Sequence, residues 1–238
     1  MSISVAMATY NGEKYISEQI DSILKQLRED DELIISDDNS SDNTKNIIKE
    51  YLCSDNRIKL IDGPCKGVIK NFENAISKCS NEYIFLCDQD DIWCDNKVEK
   101  ILSSFIELNA DLILHNAKIL HNEKILDETF FNKRGVKKGI KNNIIKNSYI
   151  GCCMAFKSKL KGLFLPFPEK IPMHDQWIGI ICEKYGNIEF IDEPLIIYRR
   201  HDNNASGDSH SSVFKMIKWR SSLISAYHKR IRKINKEK

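Results

Sequence analysis

The sequence lacks several things that would have named a class at once. It has no apolar run near the roughly 18–20 residues of a membrane span. Its first residues, Ser2 to Met7, are too short and too poor in basic residues for a secretory leader. It has no internal repeat and no Pro/Gly-rich linker, which argues against a solenoid or a loosely tethered pair of domains. Its eight cysteines show no C-x-x-C spacing. They read as reduced thiols of a cytoplasmic protein, with the adjacent Cys152 and Cys153 in the core. A dinucleotide fold needs G-x-G-x-x-G after its first strand, and here that turn is Ala8-Thr9-Tyr10-Asn11-Gly12. The P-loop lysine signature is absent too. A calcium hand counted from Asp88 would want glycine at its sixth position, where Trp93 stands.

What is present is an alternation. Apolar, β-prone runs at 3–8, 32–36, 58–61, 83–87 and 111–115 alternate with helical spacing over about 13–27, 42–52, 67–78 and 96–108. That order predicts an α/β fold, a mostly parallel central sheet with helices on both faces. The second half is less regular. A Lys/Asn-rich stretch over 123–147 reads as loop with a short helix, 152–156 as a strand, 175–185 as a helix, and 188–191 and 195–198 as two strands. A polar loop follows, and residues 213–238 are helical in pattern.

Ligands of such sheets bind beyond the carboxyl ends of the strands. Three polar clusters fall at three such ends: Thr9-Tyr10-Asn11, Asp37-Asp38, and Asp88 to Asp91. Three carboxylates crowded behind the buried run Tyr83–Leu86 repel one another. An N-cap role accounts for one acid of such a cluster, not for Asp88, Asp90 and Asp91 together. A hard divalent cation, Mg²⁺ or Mn²⁺, accounts for the set, since it takes oxygen ligands and completes its shell with phosphate and water. Turn and cap roles are the plain alternatives for Asp37-Asp38 and Asp175, and a place in the core for Trp93 and Trp177.

The segments VAMATYNGEKYI, ELIISDDNSSDNT, EYIFLCDQDDIW, HDQW and YRRHDNN, in this order, resemble family 2 inverting glycosyltransferases of the GT-A nucleotide-sugar fold. Within that family they are most similar to rhamnosyltransferases of bacterial surface polysaccharide assembly, such as capsule and O-antigen. The resemblance covers residues 2–207. It implies that Thr9, Tyr10 and Asn11 line the nucleotide pocket and that Asp38, with Asp37, holds the pyrimidine. Asp88-Gln89-Asp90 matches the D-x-D motif, which makes Asp90 and Asp88 metal ligands with His201 completing the shell. Asp88 and Asp91 would also face the nucleotide sugar. Arg199 and Arg200 would face the diphosphate, and Asp175 would be the general base. The family's usual Glu-Asp pair is His174-Asp175 here. The processive members' Q-x-x-R-W motif is absent, which implies one sugar added per encounter.

The resemblance thus implies transfer from a nucleoside-diphosphate sugar, dTDP-L-rhamnose first and a UDP-hexose second. The acceptor would be a glycan or a lipid-linked oligosaccharide. Two other classes compete. A non-catalytic nucleotide-sugar or glycan-binding module on the same fold would have lost the metal and base positions, yet Asp88, Asp90 and Asp175 are present. A nucleotidyltransferase would want a Gly-rich basic loop after the first strand. The expected organisation is a catalytic domain over 1–212, with a nucleotide-sugar-binding half at 1–115 and an acceptor-binding half at 116–212, followed by a basic amphipathic helix at 213–238. That tail carries nine Lys/Arg and one acid, net +8, and leaves residues 1–212 at −6. Such a helix suits an anionic membrane surface, a protein partner or the protein's own body. An acidic body without a stacking platform argues against nucleic acid.

Overall fold

The structure is a computed structural model that describes residues 1–201 and 212–237. Its first half alternates strictly. Strand β1 (Ile3–Thr9) leads to α1 (Ile16–Leu24), β2 (Glu32–Asp37), α2 (Thr44–Ser54), β3 (Ile58–Asp62), α3 (Val68–Lys78) and β4 (Tyr83–Cys87). A two-residue strand β5 (Ile92–Trp93) and α4 (Lys97–Glu107) follow. Then come β6 (Leu112–His121), β7 (Lys124–Ile125), the short helices α5 (Phe130–Arg134) and α6 (Ile140–Ile145), and β8 (Met154–Lys157). The chain ends in α7 (Lys161–Phe164), α8 (His174–Tyr185), β9 (Ile188–Arg200) and α9 (Val213–Glu237).

The strands form one mixed sheet in the order β3-β2-β1-β4-β8-β6-β9-β5, with β7 on β6. The β3-β2-β1-β4 half is wholly parallel. Every residue of β1, β2 and β4 is buried. Because strand side chains alternate between faces, both faces of this half must be covered, which is why these strands read as unbroken apolar runs. The other half is mixed, with β8 antiparallel to both β4 and β6 and β9 parallel to β6, so the sheet as a whole is mostly parallel as expected.

Several boundaries differ from the sequence expectation, each for a local reason. The first helix begins at Ile16 rather than near residue 13, because the Gly12 carbonyl accepts from both the Tyr15 and Ile16 amides and closes a turn there. The expected pair of strands at 188–191 and 195–198 is one strand, β9. Pro194 cannot donate to the ladder, so the register with β6 shifts at Asn116, but the chain stays extended through it. The expected strand at 152–156 opens as a 3₁₀ turn over Gly151–Cys153 and becomes β8 only at Met154. Cys152 and Cys153 lie in the core, and so do Trp93 and Trp177. The stretch 123–147 holds two short helices and a hairpin strand rather than one helix. Among the described residues, no helix is long and apolar enough to cross a membrane.

One buried acid ties the parallel strands at the end remote from the site. The Glu32 carboxylate accepts from the Ser4 hydroxyl at 2.6 Å, the Ser80 amide at 2.7 Å and hydroxyl at 2.8 Å, and Lys59 Nζ at 2.7 Å. Burial opposes its ionisation, but these donors outweigh it and bring its pKa from 4.5 down to about 2. A depressed carboxylate stabilises the fold above its unfolded pKa and loses that contribution as pH falls through its folded one. Acid titration of the unfolding free energy should therefore show a loss on the order of 2–3 kcal/mol between pH 4.5 and about 2. Glu32→Gln should be less stable than wild type at pH 7 by a similar amount and flatter across that window. Parallel acid curves for the two proteins would refute the assignment.

Candidate active site

The parallel half changes direction between β1 and β4, since β2 and β3 lie on one side of β1 and β4 on the other. A crevice opens at such a point beyond the strand ends. Here it is a cavity of about 690 Å³, a size that suits a nucleotide-sugar ligand. Thr9, Tyr10, Asp38, Asp88, Gln89 and Asp90 line it from the first half of the chain. Arg134, Asn147, Tyr149, Asp175, Tyr198 and Arg200 line it from the second.

At the end of β1, Thr9 is buried and its hydroxyl donates to Asp37 Oδ2 at 3.1 Å. The next residue, Tyr10, is exposed, and its backbone is clasped by Gln89, whose Oε1 accepts from the Tyr10 amide at 2.9 Å while its Nε2 donates to the Tyr10 carbonyl at 3.0 Å. A Cβ at position 12 would lie 2.3 Å from Gln89 Oε1, so the glycine there makes room for the clasp. Asn71 on α3 draws the two strand ends together, donating to the carbonyls of Thr9 at 3.1 Å and Ser36 at 2.8 Å.

The paired acids Asp37 and Asp38 part company. Asp37 is buried, accepts from the Ser40 amide at 2.9 Å and hydroxyl at 2.6 Å, and faces Lys45 at 3.4 Å. It builds the loop and does not line the cavity. Asp38 does line it. Its Oδ2 accepts from the Gly67 amide at 2.7 Å, and its Oδ1 is buried with no partner among the described residues. Asn11, in a left-handed conformation (φ 48°), accepts from the Ser41 amide at 2.8 Å and also lies outside the cavity lining.

The three acids after β4 crowd as the sequence suggested. Burial raises Asp88 well above the ordinary carboxylate range, and the Asp91 and Asp90 charges add to it. Burial, with Asp90 beside it, pushes Asp91 up to about 7. Burial raises Asp90 as well, and His201 and Arg199 offset part of that. Among the described residues, the group of three donors that closes to within 4.8 Å is Asp88, Asp91 and Cys152. Asp91 Oδ2 is buried and unpartnered there, while its Oδ1 accepts from the Arg199 amide at 3.0 Å. Asp90 turns toward His201 instead, with Oδ2 2.8 Å from Nε2. The expected metal set, Asp88, Asp90 and His201, is therefore divided between two neighbouring groups. The donors still fit a hard cation: carboxylate oxygens dominate, and one buried oxygen lacks a partner.

The end of β9 is bound to α1 around this loop. Arg199 pairs with Glu18 at 2.5 Å, donates to the Asp90 carbonyl at 2.9 Å and lies 4.7 Å over the Tyr15 ring. The His201 ring stacks on the same tyrosine at 5.0 Å. Arg199 thus holds the acid loop from behind, whereas Arg200 lines the cavity. Residues 202–211, which carry the rest of the polar loop, lie outside the described residues.

Asp175, which also lines the cavity, sits in the first turn of α8 and is 7% exposed. Its Oδ1 accepts from the Gln176 amide at 2.5 Å and from Asn147 Nδ2 at 3.1 Å. Burial pushes its pKa up to about 6, against those two donors and the Arg134 charge. Its neighbour His174 is buried and stacked on Phe72 at 4.0 Å, with neither ring nitrogen partnered. Burial lowers its pKa to about 3, so it is neutral. A Cβ on Gly151 would lie 2.7 Å from its Nε2, so position 151 accommodates the imidazole.

Sequence reasoning missed Gln89, Asn71, Asn147 and Arg134. The first lies inside the D-x-D segment and carried a signal by position. The others act through contacts 28 or more residues away or sit in a compositionally plain stretch, and no local pattern marks them.

The description "Glycosyl transferase family 2" matches residues 4–161. The UDP-Glc:alpha-D-GlcNAc-diphosphoundecaprenol beta-1,3-glucosyltransferase WfgD of Escherichia coli is 33% identical over 221 residues, 91% of this chain and 82% of that protein. The dTDP-rhamnosyl transferase RfbG of Shigella flexneri is 31% identical over 219 residues, 84% of this chain and 73% of that protein. Among solved structures, S. aureus TarS 1-349 in complex with UDP-GlcNAc superposes with a TM-score of 0.73 at 21% identity, covering 94% of this chain. Mannosyltransferase PcManGT from Pyrobaculum calidifontis, in complex with GDP-Man and Mn²⁺, superposes with a TM-score of 0.62 at 16% identity, covering 97%. This chain spans 66% and 64% of those two structures, less than two thirds of either. They establish the GT-A fold.

Proposed function

The chain belongs to glycosyl transferase family 2 and is a nucleotide-sugar glycosyltransferase, and on that premise we propose that it moves L-rhamnose from dTDP-rhamnose, with inversion, to a hydroxyl of a lipid-linked oligosaccharide. The observation that supports this reading is that one cavity is lined by Thr9, Tyr10 and Asp38, by Asp88 and Asp90, and by Asp175 together. A buried carboxylate in that cavity whose pKa burial pushes up to about 6 suits a general base better than it suits a binding module. The likeness to RfbG favours the dTDP-rhamnose donor. The likeness to WfgD supports a second reading, UDP-glucose, and supplies the case for a lipid-diphosphate acceptor.

In this mechanism Asp38 Oδ1 takes a hydrogen bond from the pyrimidine, and Tyr10 covers the base. Asp175 removes the proton from the acceptor hydroxyl as its oxygen attacks the anomeric carbon. The new C–O bond forms as the bond to the diphosphate breaks, and the nucleoside diphosphate leaves with the electron pair. A divalent cation, Mn²⁺ or Mg²⁺, neutralises charge on the diphosphate when bound, and Asp88, Asp90 and His201 would hold it. Arg200 supplies positive charge from the cavity wall. In this reading residues 1–115 are the nucleotide-sugar-binding half and 116–212 the acceptor-binding half of a cytoplasmic enzyme that works beside the membrane holding its acceptor, followed by the basic helix α9.

Calorimetry with TDP, UDP and GDP, each with Mn²⁺ and again with EDTA, tests the reading. TDP should bind most tightly, and chelation should weaken it by at least tenfold. Preference for UDP would move the donor to the second reading. Metal-independent binding, or none with folded protein, would refute the proposal.

A further inference from the structure

We propose that the outward face of α9, flanked by Ile145 at the end of α6, is a docking surface for an anionic lipid bilayer. The inference rests on the reading of a lipid-linked acceptor, and its geometry comes from the helix itself. One face of α9 is spoken for. Leu223 and Ile234 are buried, and Ala226, Tyr227 and Ile231 pack on the core. Arg230 donates to the carbonyls of Leu163 at 3.3 Å, Leu165 at 2.6 Å and Pro166.

The remaining face departs from what water selects. At 3.6 residues per turn, Phe214, Ile217 and Ile224 turn away from Leu223 by roughly 100–180°. They are 80%, 57% and 39% exposed. Ile145 is 64% exposed and is held against the same helix, its carbonyl accepting from Arg220 Nη2 at 2.6 Å. Large apolar side chains exposed together mark a binding surface rather than a solvated one.

Charge decides the occupant. Lys218, Lys229, Arg232 and Lys236 share the outward side, and α9 holds one acid, Glu237, against eight Lys/Arg. A second copy of this helix would meet it with like charge. Anionic headgroups would meet it with opposite charge, each basic residue near the surface adding to the attraction, while the apolar side chains enter the headgroup boundary.

The placement also serves the site. Two residues after Ile145, Asn147 lines the cavity and donates to Asp175. A bilayer against Ile145 and the start of α9 would therefore lie beside the acceptor wall, where a sugar anchored by a lipid would present its hydroxyl.

The full chain should cosediment with phosphatidylcholine–phosphatidylglycerol vesicles and at least tenfold more weakly with phosphatidylcholine alone. Phe214→Glu with Ile217→Glu, and separately Lys218→Glu with Arg232→Glu, should each lower binding to the mixed vesicles by about tenfold or more. All four positions are exposed, so the melting temperature should hold. Metal-dependent nucleotide binding should hold in both variants too, and its loss in the wild type would instead refute the functional reading. Equal binding of wild type and both variants to the mixed vesicles would overturn the proposal. So would a wild type that ignores vesicles and forms a dimer that Phe214→Glu with Ile217→Glu dissociates.

Discussion

Asp90→Asn should weaken Mn²⁺-dependent binding of a nucleoside diphosphate by about 100-fold or more, with little change in melting temperature. The size follows from the role: even a residue that merely supports a metal ligand is worth roughly 10–100-fold in affinity. A ligand itself should exceed that. The small structural effect follows from the geometry. Asp90 is buried with Oδ2 2.8 Å from His201 Nε2, and asparagine keeps the volume and one oxygen in that place. Its backbone carbonyl, which accepts from Arg199 at 2.9 Å, is untouched by the change. The loop should therefore stay in position while a charge is lost from it. Removing a like charge from beside Asp88 and Asp91 can even stabilise the metal-free fold. Full Mn²⁺-dependent affinity in the variant would move the ligand role to the Asp88–Asp91–Cys152 group, where Asp91→Asn would be the next substitution to measure.

The division between Asp90 and Asp91 illustrates what the sequence carried and what it did not. The parallel half was legible because its strands are buried on both faces and read as apolar runs closed by polar clusters. Placing Asp38, Asp88 and Thr9 around one crevice needed nothing beyond strand order. The finer sorting of neighbours depends on contacts across long separations. Asp37 is drawn inward by the Thr9 hydroxyl 28 residues away, and Arg199 is turned to the back of the acid loop by Glu18, which lies 181 residues away. No local pattern distinguishes Asp37 from Asp38 or Arg199 from Arg200. The second half of the sheet was harder for the same reason. Strand β8 lies between β4 and β6, each distant from it in sequence, and the bulged β9 reads as two strands because Pro194 interrupts its ladder without ending it. Asp175 stood out by its motif, yet its poise depends on Asn147 and on burial, both supplied by the tertiary fold.

Asp175→Asn, if Asp175 is the proposed general base, should lower kcat by about 10²–10⁴-fold and leave donor affinity near that of wild type. The substitution is structurally quiet. Asparagine Oδ1 can go on accepting from the Gln176 amide and from Asn147, so α8 keeps its first turn and the cavity keeps its shape. What the substitution would remove is the ionised oxygen proposed to take the acceptor proton. The pH profile separates this role from an N-cap role. In the wild type a base must be ionised to act, and burial holds Asp175 protonated up to about pH 6. Activity should therefore rise with pH through about 6 and level off above it, falling roughly tenfold for each unit below. The start of a helix favours the ionised carboxylate, so burial must be the stronger influence for the limb to lie there. In Asp175→Asn the residual transfer should show no limb near pH 6. A cap without catalytic duty would show the reverse pattern: a lower melting temperature, a kcat within a few-fold of wild type, and an unaltered acid limb.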